Sequence, residues 1–178
     1  AGRADGRVTQ VSGDWLSCDS TQHVLAMLEA GGHEAYVVGG CVRNALMNVA
    51  VGDVDIATNA RPERVVLLAE SAGLKAVPTG IEHGTVTVVA DGVGHEVTTY
   101  RADVETDGRR AVVRYADDVA EDAARRDFTM NALYADARGK VLDPLGGLPD
   151  LEARRVRFIG DAGERIREDY LRILRFFR

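Results

Sequence analysis

Residues 35–58, AYVVGGCVRNALMNVAVGDVDIAT, contain the pattern that decides the fold. The first four of them, AYVV, form a short apolar run that predicts a buried strand, and the run ends at Gly39-Gly40. We expect a helix over the next segment, CVRNALMNVA. The last segment, VGDVDIAT (51–58), alternates apolar and acidic residues, as a half-buried strand does. The stretch therefore predicts a strand, a glycine turn, a helix and a second strand.

Helices are predicted on both sides of this stretch. Residues 20–29 have helical periodicity, with Ser20 as the expected N-cap and Gly31-Gly32 as the stop signal. Downstream, PERVVLLAESAG (62–73) begins with a proline, which suits a first helical turn, and ends at a glycine.

The middle of the chain is rich in β-forming residues. GTVTVVA (84–90) and HEVTTYR (95–101) flank the sequence Asp-Gly-Val-Gly, which predicts a hairpin. Residues 103–119 are charged and have little pattern, which predicts a mobile loop.

The last third of the chain returns to mixed structure. We expect a helix over about 119–127, a hairpin about Arg138-Gly139 and a short strand at VRFIG (156–160). From Asp161 onward the pattern is helical to the end. The whole pattern predicts an α+β fold with three parts: a polar N-terminal segment (1–20), a main domain (21–150) and the start of a helical domain (151–178).

The helical end carries an apolar stripe formed by Leu171, Leu174 and Phe177. A helix this apolar needs a partner, so we expect a truncated protein whose helical domain continues beyond Arg178. The alternative is a terminal helix that folds back on its own domain.

Composition excludes several classes of protein. The 178 residues have the length of one domain, and their net charge of −6 argues against coating of nucleic acid by bulk positive charge. No apolar run is long enough to cross a membrane, and the N-terminus lacks a signal-peptide pattern. Cys18 and Cys41 are too few for a disulfide scaffold or a zinc site. We expect free thiols in a reducing cytoplasm, with a single bridge as the alternative.

The Gly39-Gly40 turn is a candidate phosphate site. Glycines allow a close approach of the backbone to a ligand, and the N-terminus of the following helix offers free N–H groups to a phosphate. The alternative is an ordinary tight turn. The sequence is neither GxGxxG nor a Walker A motif, which argues against a Rossmann dehydrogenase and a P-loop NTPase.

Three acidic residues are candidate metal ligands. On a strand, Asp53 and Asp55 would share one face while Val54 and Ile56 point into the core. Two carboxylates on one face repel each other unless a cation lies between them, and oxygen ligands suit Mg²⁺. Bound ions could bridge an attacking hydroxyl and a nucleoside triphosphate. The alternative is a pair of surface acids. Glu96 would complete a three-carboxylate site, unless it pairs with a cross-strand arginine.

Two further segments carry hydrogen-bonding groups suited to nucleotides. RRDFTMNA (125–132) combines arginines, which bind phosphate, with Asp and Asn, which can bind sugar hydroxyls. In EDYLR (168–172), Asp169 and Arg172 would lie on one helix face and could contact a nucleobase. The alternatives are a solvated helix end and a surface ion pair.

Taken together, five blocks resemble the bacterial-type tRNA nucleotidyltransferases (CCA-adding enzymes) and their poly(A) polymerase relatives, within the DNA polymerase β-like superfamily. The likeness runs from about Ala35 to the last residue, and the blocks occur in the family's order: YVVGGCVRN, DVDIAT, GTVTV with HEVTTYR, RRDFTMNA and EDYLRILRFFR.

The resemblance implies a polymerase β-like head with a mixed or antiparallel five-stranded sheet and flanking helices, followed by the start of a helical neck. It implies a nucleotide at the glycine turn, with Gly39, Gly40 and Arg43, and metal on the catalytic Asp53 and Asp55. It implies a ribose-contacting block of Arg126, Asp127 and Asn131 and a base-selecting pair of Asp169 and Arg172. Glu96, argued from the strand pattern above, is the third catalytic candidate. The Gly-Arg-Arg of ETDGRR (105–110) occupies the place of the family's flexible loop.

The implied activity is template-independent addition of CCA to tRNA 3′ ends from CTP and ATP, with Mg²⁺ as cofactor. The tRNA 3′-hydroxyl would attack the α-phosphate, and pyrophosphate would leave. The tRNA would be bound mainly by C-terminal domains beyond this chain. The alternatives are a poly(A) polymerase of the same family and a non-catalytic nucleotide- or RNA-binding module.

Overall fold

The computed structural model describes residues 8–104 and 112–178. The helices in these residues are α1 (Asp14–Ser17), α2 (Asp19–Ala30), α3 (Gly40–Leu46), α4 (Pro62–Ser71), α5 (Val119–Ala124), α6 (Gly147–Glu152), α7 (Ala162–Glu168) and α8 (Leu171–Phe177). The strands are β1 (Ala35–Val38), β2 (Asp55–Thr58), β3 (Lys75–Gly80), β4 (Thr85–Ala90), β5 (Val93–Thr99), β6 (Arg101–Val104), β7 (Val112–Tyr115), β8 (Tyr134–Ala135) and β9 (Val141–Leu142). Short 3₁₀ helices cover Ile81–His83 and Thr129–Asn131.

The strands form a mixed sheet in the order β3-β4-β5-β2-β1-β8-β9, and β6 pairs with β7 separately. Strands β2 and β5 are parallel, and the other neighbours in the large sheet are antiparallel. The predicted α+β class with a mixed sheet is therefore confirmed. The expected count of five strands was too low, since the large sheet has seven. The predicted hairpin about Arg138-Gly139 is confirmed, because β8 and β9 pair antiparallel on either side of these residues.

Side chains that alternate along the central strands divide the core into two clusters. Val37 of β1 and Ile56 of β2 pack in one cluster, together with the apolar sides of α2 and α4. Val38 and Ala57 point to the opposite face and pack with Tyr134. Burial of each large aliphatic side chain contributes about 1.5–3 kcal/mol, so the central strands are held from both sides.

The glycine turn between β1 and α3 adopts a conformation that requires glycine. Gly39 has φ 78° and ψ −126°, outside the regions open to L side chains. Helix α3 then ends at Leu46, earlier than predicted, because Asn48 takes a positive φ of 55° and Val49 N–H returns to the Asn44 carbonyl.

Several predicted boundaries near the N-terminal half were wrong. Helix α2 begins one residue before Ser20, which is buried in the first turn, and Cys18 is the N-cap. The predicted strand 51–58 forms only from Asp55 onward. Strand β1 ends at Val38, opposite Asp55, so the residues before Asp55 have no β1 partner. Strand β3 was not predicted.

The second half also departs from the pattern. Part of the predicted loop 103–119 forms the hairpin of β6 and β7, whereas residues 105–111, with the Gly-Arg-Arg motif, lie outside the described residues. The predicted strand VRFIG is reduced to an isolated bridge between Phe158 and Phe128. The predicted terminal helix is two helices, because the chain becomes extended at Asp169, with φ −153° and ψ 103°.

The aromatic side chain of Phe176 packs the terminal helix α8 against the rest of the chain. Phe176 stacks on Phe158 with ring centroids 5.8 Å apart and contacts Phe128 at 6.2 Å. Leu171, Leu174 and Phe177 of the predicted apolar stripe are exposed. The alternative of a helix folded back on its own domain therefore holds for Phe176 and not for the stripe.

Two further findings concern the classes of protein considered above. Both cysteines are free, Cys18 at the surface and Cys41 in the core. Within residues 8–104 and 112–178, no helix has the length and apolar character needed to span a membrane.

Gly139 provides a test of how the N-terminal segment is fixed to the fold. It has φ 86°, its carbonyl accepts a hydrogen bond from Val11 N–H, and a Cβ there would overlap the Val11 carbonyl oxygen. We expect Gly139→Ala to lower the free energy of unfolding by about 2–4 kcal/mol, from backbone strain and steric overlap together. Gly92→Ala is the control, since Gly92 has φ 76° but no atom near the added Cβ. That control should cost about 1 kcal/mol. Equal losses in urea unfolding would contradict the steric argument.

Candidate active site

Three carboxylates line one cavity beside the parallel strands. Asp55 is the first residue of β2 and lies directly opposite Glu96 of β5. Asp53 lies two residues before β2, so the prediction that it belongs to the strand was wrong. All three residues nevertheless line one cavity of about 690 Å³. Val54 and Ile56, which alternate with the two aspartates along the chain, pack into the core, as predicted.

The three carboxylates carry like charges, which repel one another. Partial desolvation in the cavity raises the pKa of Asp55, and the negative charges of Glu96 and Asp53 raise it further, while Arg126 acts in the opposite direction. Among the described residues, no hydrogen bond or ion pair involves the carboxylates of Asp53, Asp55 or Glu96. The alternative in which Glu96 pairs with a cross-strand arginine is not seen, since its strand neighbours are Asp55 and Thr87.

The donor set of this cavity fits Mg²⁺. Its charged ligands are all carboxylate oxygens, and their mutual repulsion would be relieved by a divalent cation. Within the described ranges, no three His, Cys, Asp or Glu side chains form a ready-made metal cluster. Magnesium sites commonly use one or two carboxylates and complete the shell with water and substrate phosphate. Nucleotidyl-transfer enzymes in general use divalent metal ions in this way.

Two guanidinium groups flank the glycine turn. A Cβ built on Gly39 would stand 3.8 Å from Nη1 of Arg126, and one built on Gly40 would stand 3.5 Å from Nη2 of Arg43. The turn that the sequence marked as a phosphate site therefore has an arginine on each side, one from α3 and one from the RRDFTMNA segment.

The predicted ribose-contacting residues form a hydrogen-bonded network with α3. Asp127 Oδ1 accepts from Phe128 N–H at 2.7 Å and from the Asn131 amide at 3.0 Å. Asn131 Oδ1 in turn accepts from Arg43 Nη1 at 2.6 Å. Arg43, Asp127 and Asn131 line a second cavity, of about 470 Å³. The structure thus brings these three predicted residues together.

Arg126 is fixed by two residues that the sequence analysis did not single out. Its Nε and Nη2 donate to Asp122 Oδ2 at 3.3 and 3.1 Å, and its Nε also donates to the Tyr134 hydroxyl at 3.2 Å. Burial opposes the charge of this guanidinium, but Tyr134 and Asp122 together raise the pKa of Arg126 above its ordinary value. The spacing of four residues between Asp122 and Arg126 was the available signal.

The predicted base-selecting pair is arranged differently from the expectation. Asp169 lies between α7 and α8, where its Oδ1 accepts from Leu171 N–H at 3.0 Å. Arg172 donates through Nη1 to Glu168 Oε2 at 2.6 Å and to the Arg165 carbonyl at 2.7 Å. The two residues therefore do not share the face of one continuous helix. Neither are their side chains paired as a surface salt bridge in this part of the chain.

Arg175 links the predicted ribose-contacting residues to the predicted base-selecting pair. Arg175 of α8 has its Nη1 3.7 Å from Asp127 Oδ2 and 4.0 Å from Asp169 Oδ2. One guanidinium therefore lies between a residue of the predicted ribose block and a residue of the predicted base pair.

Comparison with known proteins identifies the family of this chain. A family model described as the poly A polymerase head domain matches residues 35–157. The CCA-adding enzyme of Oceanobacillus iheyensis is 48% identical over 157 residues, which cover 87% of this chain and 38% of that protein. The CCA-adding enzyme of Geobacillus kaustophilus is 45% identical over the same shares of the two chains. The chain thus spans less than half the length of these relatives.

Solved structures give the same result. The Bacillus stearothermophilus CCA-adding enzyme in complex with CTP is similar with a TM-score of 0.79 and 40% identity, covering 88% of this chain and 37% of that one. A tRNA nucleotidyltransferase complexed with a primer tRNA and an incoming ATP analog has a TM-score of 0.66 and 32% identity, covering 86% and 43%. These likenesses confirm the polymerase β-like head. Because the family match extends over more than half of this chain, the chain belongs to the poly A polymerase head domain family.

Proposed function

We propose that this chain is the catalytic head of a nucleotidyltransferase that adds CCA to tRNA 3′ ends from CTP and ATP without a template. The observation that carries the proposal is the juxtaposition of Asp55 and Glu96 across parallel strands, with Asp53 in the same cavity. The names of the relatives and the presence of CTP and tRNA in the similar structures support the choice of substrates.

The glycine turn and its arginines would bind the triphosphate. Gly39 and Gly40 leave the backbone open to a close approach, and Arg43 and Arg126 offer donors beside it. Asp127 and Asn131 present oxygen and amide groups that suit ribose hydroxyls. These contacts fix the α-phosphate in place, and fixed placement is the main contribution of such sites to phosphoryl transfer.

The carboxylates would hold Mg²⁺ through Asp53 and Asp55, with Glu96 adding negative charge beside them. When bound, such ions neutralise phosphate charge and lower the pKa of the attacking hydroxyl. In the reaction, the tRNA 3′-hydroxyl would lose its proton to water as its oxygen forms a bond to the α-phosphorus. The bond between the α-phosphorus and the oxygen that bridges to the β-phosphorus would break, and the electron pair would stay on that oxygen. The nucleotide is thereby added to the tRNA, and pyrophosphate leaves.

Base choice is assigned to Asp169 and Arg172. Asp169 offers only acceptors and Arg172 only donors at neutral pH. A carboxylate facing an amino group, and a guanidinium facing a ring nitrogen, would accept cytosine and adenine alike. Nη1 of Arg172 donates to Glu168 and to the Arg165 carbonyl, and among the described residues no hydrogen bond uses Nη2, which would donate to the base.

A poly(A) polymerase is the second candidate, and the description of the matching family favours it. Both enzymes would use the same head, so incorporation of CTP as well as ATP decides between them. A non-catalytic nucleotide- or RNA-binding module would not need the metal-binding carboxylates, and Asp53 and Asp55 are both present in one cavity. The free cysteines fit a cytoplasmic site of action.

The first test removes one carboxylate without changing its shape. We expect Asp55→Asn in the intact protein to abolish CTP incorporation into tRNA that lacks its 3′ end. The same change should raise the melting temperature by roughly 1–3 °C, because it relieves repulsion that solvent screens only in part. Asp53→Ala should likewise abolish transfer. The measurements are incorporation with Mg²⁺ and thermal unfolding.

The matched control is Asp91→Asn, which removes an exposed acid at the β4–β5 turn, outside this cavity. It should leave incorporation unchanged. Full activity of either active-site variant would rule out the metal assignment. A variant that lost activity together with its folded structure would show a structural role instead.

The second test concerns base choice. Uracil and guanine carry carbonyl oxygens where cytosine and adenine carry amino groups, so Asp169 should repel them. A site built on polar contacts discriminates strongly, because a wrong partner leaves its groups unpaired. We expect Asp169→Ala to weaken discrimination against UTP and GTP by about tenfold or more, with a smaller effect on triphosphate affinity. Incorporation of each of the four nucleotides measures this, and unchanged selectivity would contradict the base-reading role.

A further inference from the structure

Asp122 is a buried carboxylate that the proposed reaction does not use. It lies on α5, only 2% exposed, and both of its oxygens accept hydrogen bonds. Oδ1 accepts from Arg101 N–H at 3.1 Å, and Oδ2 accepts from the Tyr134 hydroxyl at 2.7 Å and from two nitrogens of Arg126. A buried carboxylate with this many donors is held in a fixed position.

The same contacts decide which part of Arg126 remains available. Asp122 and Tyr134 occupy its Nε and Nη2, and the guanidinium also lies over the Tyr134 ring, 5.5 Å from the centroid. Among the described residues, no hydrogen bond uses Nη1 of Arg126. Nη1 is the Arg126 atom that lies beside Gly39, 3.8 Å from the position that a Cβ would take there. The free edge of the guanidinium is therefore the edge beside the glycine turn.

We propose that Asp122 and Tyr134 are a positioning pair that holds Arg126 with Nη1 directed at the Gly39-Gly40 turn, where it donates to a phosphate oxygen of the incoming nucleotide. This inference rests on the proposed function and assigns roles to two residues outside the predicted site. Neither residue touches the nucleotide. Their effect passes through Arg126 alone.

The positioning role of Tyr134 can be distinguished from its contribution to the stability of the fold, because different parts of the side chain are responsible. The Tyr134 ring packs in the core with Val38 and Ala57, whereas its hydroxyl serves the Asp122–Arg126 contact. Removal of the hydroxyl alone therefore leaves the ring in place. If the pair acts only through Arg126, changes in it should have no further effect once the Arg126 side chain is absent.

The test is a double-mutant cycle on the intact protein. Asp122→Asn should lower kcat/KM for CTP incorporation on the order of 10- to 100-fold, since small misplacements of a binding group have effects of this size. In an Arg126→Ala background, Asp122→Asn should change kcat/KM by less than about twofold. The dissociation constant for CTP, measured by calorimetry without tRNA, should follow the same non-additive pattern.

The matched control is Glu121→Gln on the same helix. Glu121 also pairs with an arginine, Arg114, at 2.6 Å, but this pair lies at the surface and away from the glycine turn. It should leave both kcat/KM and CTP affinity within about twofold of the unmodified protein.

Tyr134→Phe decides the outcome if Asp122→Asn does not fold. It should weaken CTP affinity in the same direction by a smaller factor, and again only while Arg126 is present. Equal effects with and without Arg126 would make the pair structural and overturn the inference, as would wild-type behaviour of both variants. If the unmodified protein transfers nucleotides and the variants match it, only the positioning role fails. If the unmodified protein neither binds CTP nor transfers it, the proposed function fails first.

Discussion

The parallel pairing of β2 with β5 is the constraint on which the site depends. It places Asp55 beside Glu96 in one register, and a shift of one residue would turn Glu96 to the opposite face of the sheet. Parallel strands cannot be joined by a tight turn, so the chain between them forms a crossover that contains α4 and the β3–β4 hairpin. The carboxylates therefore meet only when this whole part of the core has assembled.

The electrostatic arrangement follows from that pairing. Three carboxylates line one cavity, and among the described residues none of them is paired with a cation, which costs stability. Arg126 lowers the pKa of Asp55, whereas Glu96 and Asp53 raise it. Arg126 is itself paired with Asp122, so this buried carboxylate partly neutralises the positive charge that Arg126 presents to Asp55. Sites that keep like charges together trade stability for function, and here the surrounding aliphatic core offsets the cost.

The sequence correctly predicted the helices, strands and turns that depend on short local patterns. The apolar run AYVV, the Asp91-Gly92 hairpin and the proline-led helix α4 were all placed correctly, because periodicity and turn residues act over a few positions. The non-local features were not predictable in this way. The register of Asp55 against Glu96, the pairing of β1 with β8 and the contact of Arg126 with Tyr134 depend on packing between separate segments. The break at Asp169 was missed because the sequence on both sides of it is helical.

The break at Asp169 separates α7 from α8, and side chains of α8 contact residues of the candidate site. Phe176 anchors α8 on Phe128, the residue that follows Asp127, while Arg175 lies between Asp127 and Asp169. A displacement of α8 would therefore move the proposed base-reading carboxylate and the proposed ribose-binding carboxylate relative to each other. The ion pairs of Arg175, at 3.7 and 4.0 Å, are long and contribute little, so the aromatic contacts of Phe176 are the firmer link between α8 and Phe128. The extended backbone at Asp169 thus separates α7 from α8 and places the two residues of the proposed base-reading pair differently, Asp169 at the break and Arg172 inside α8.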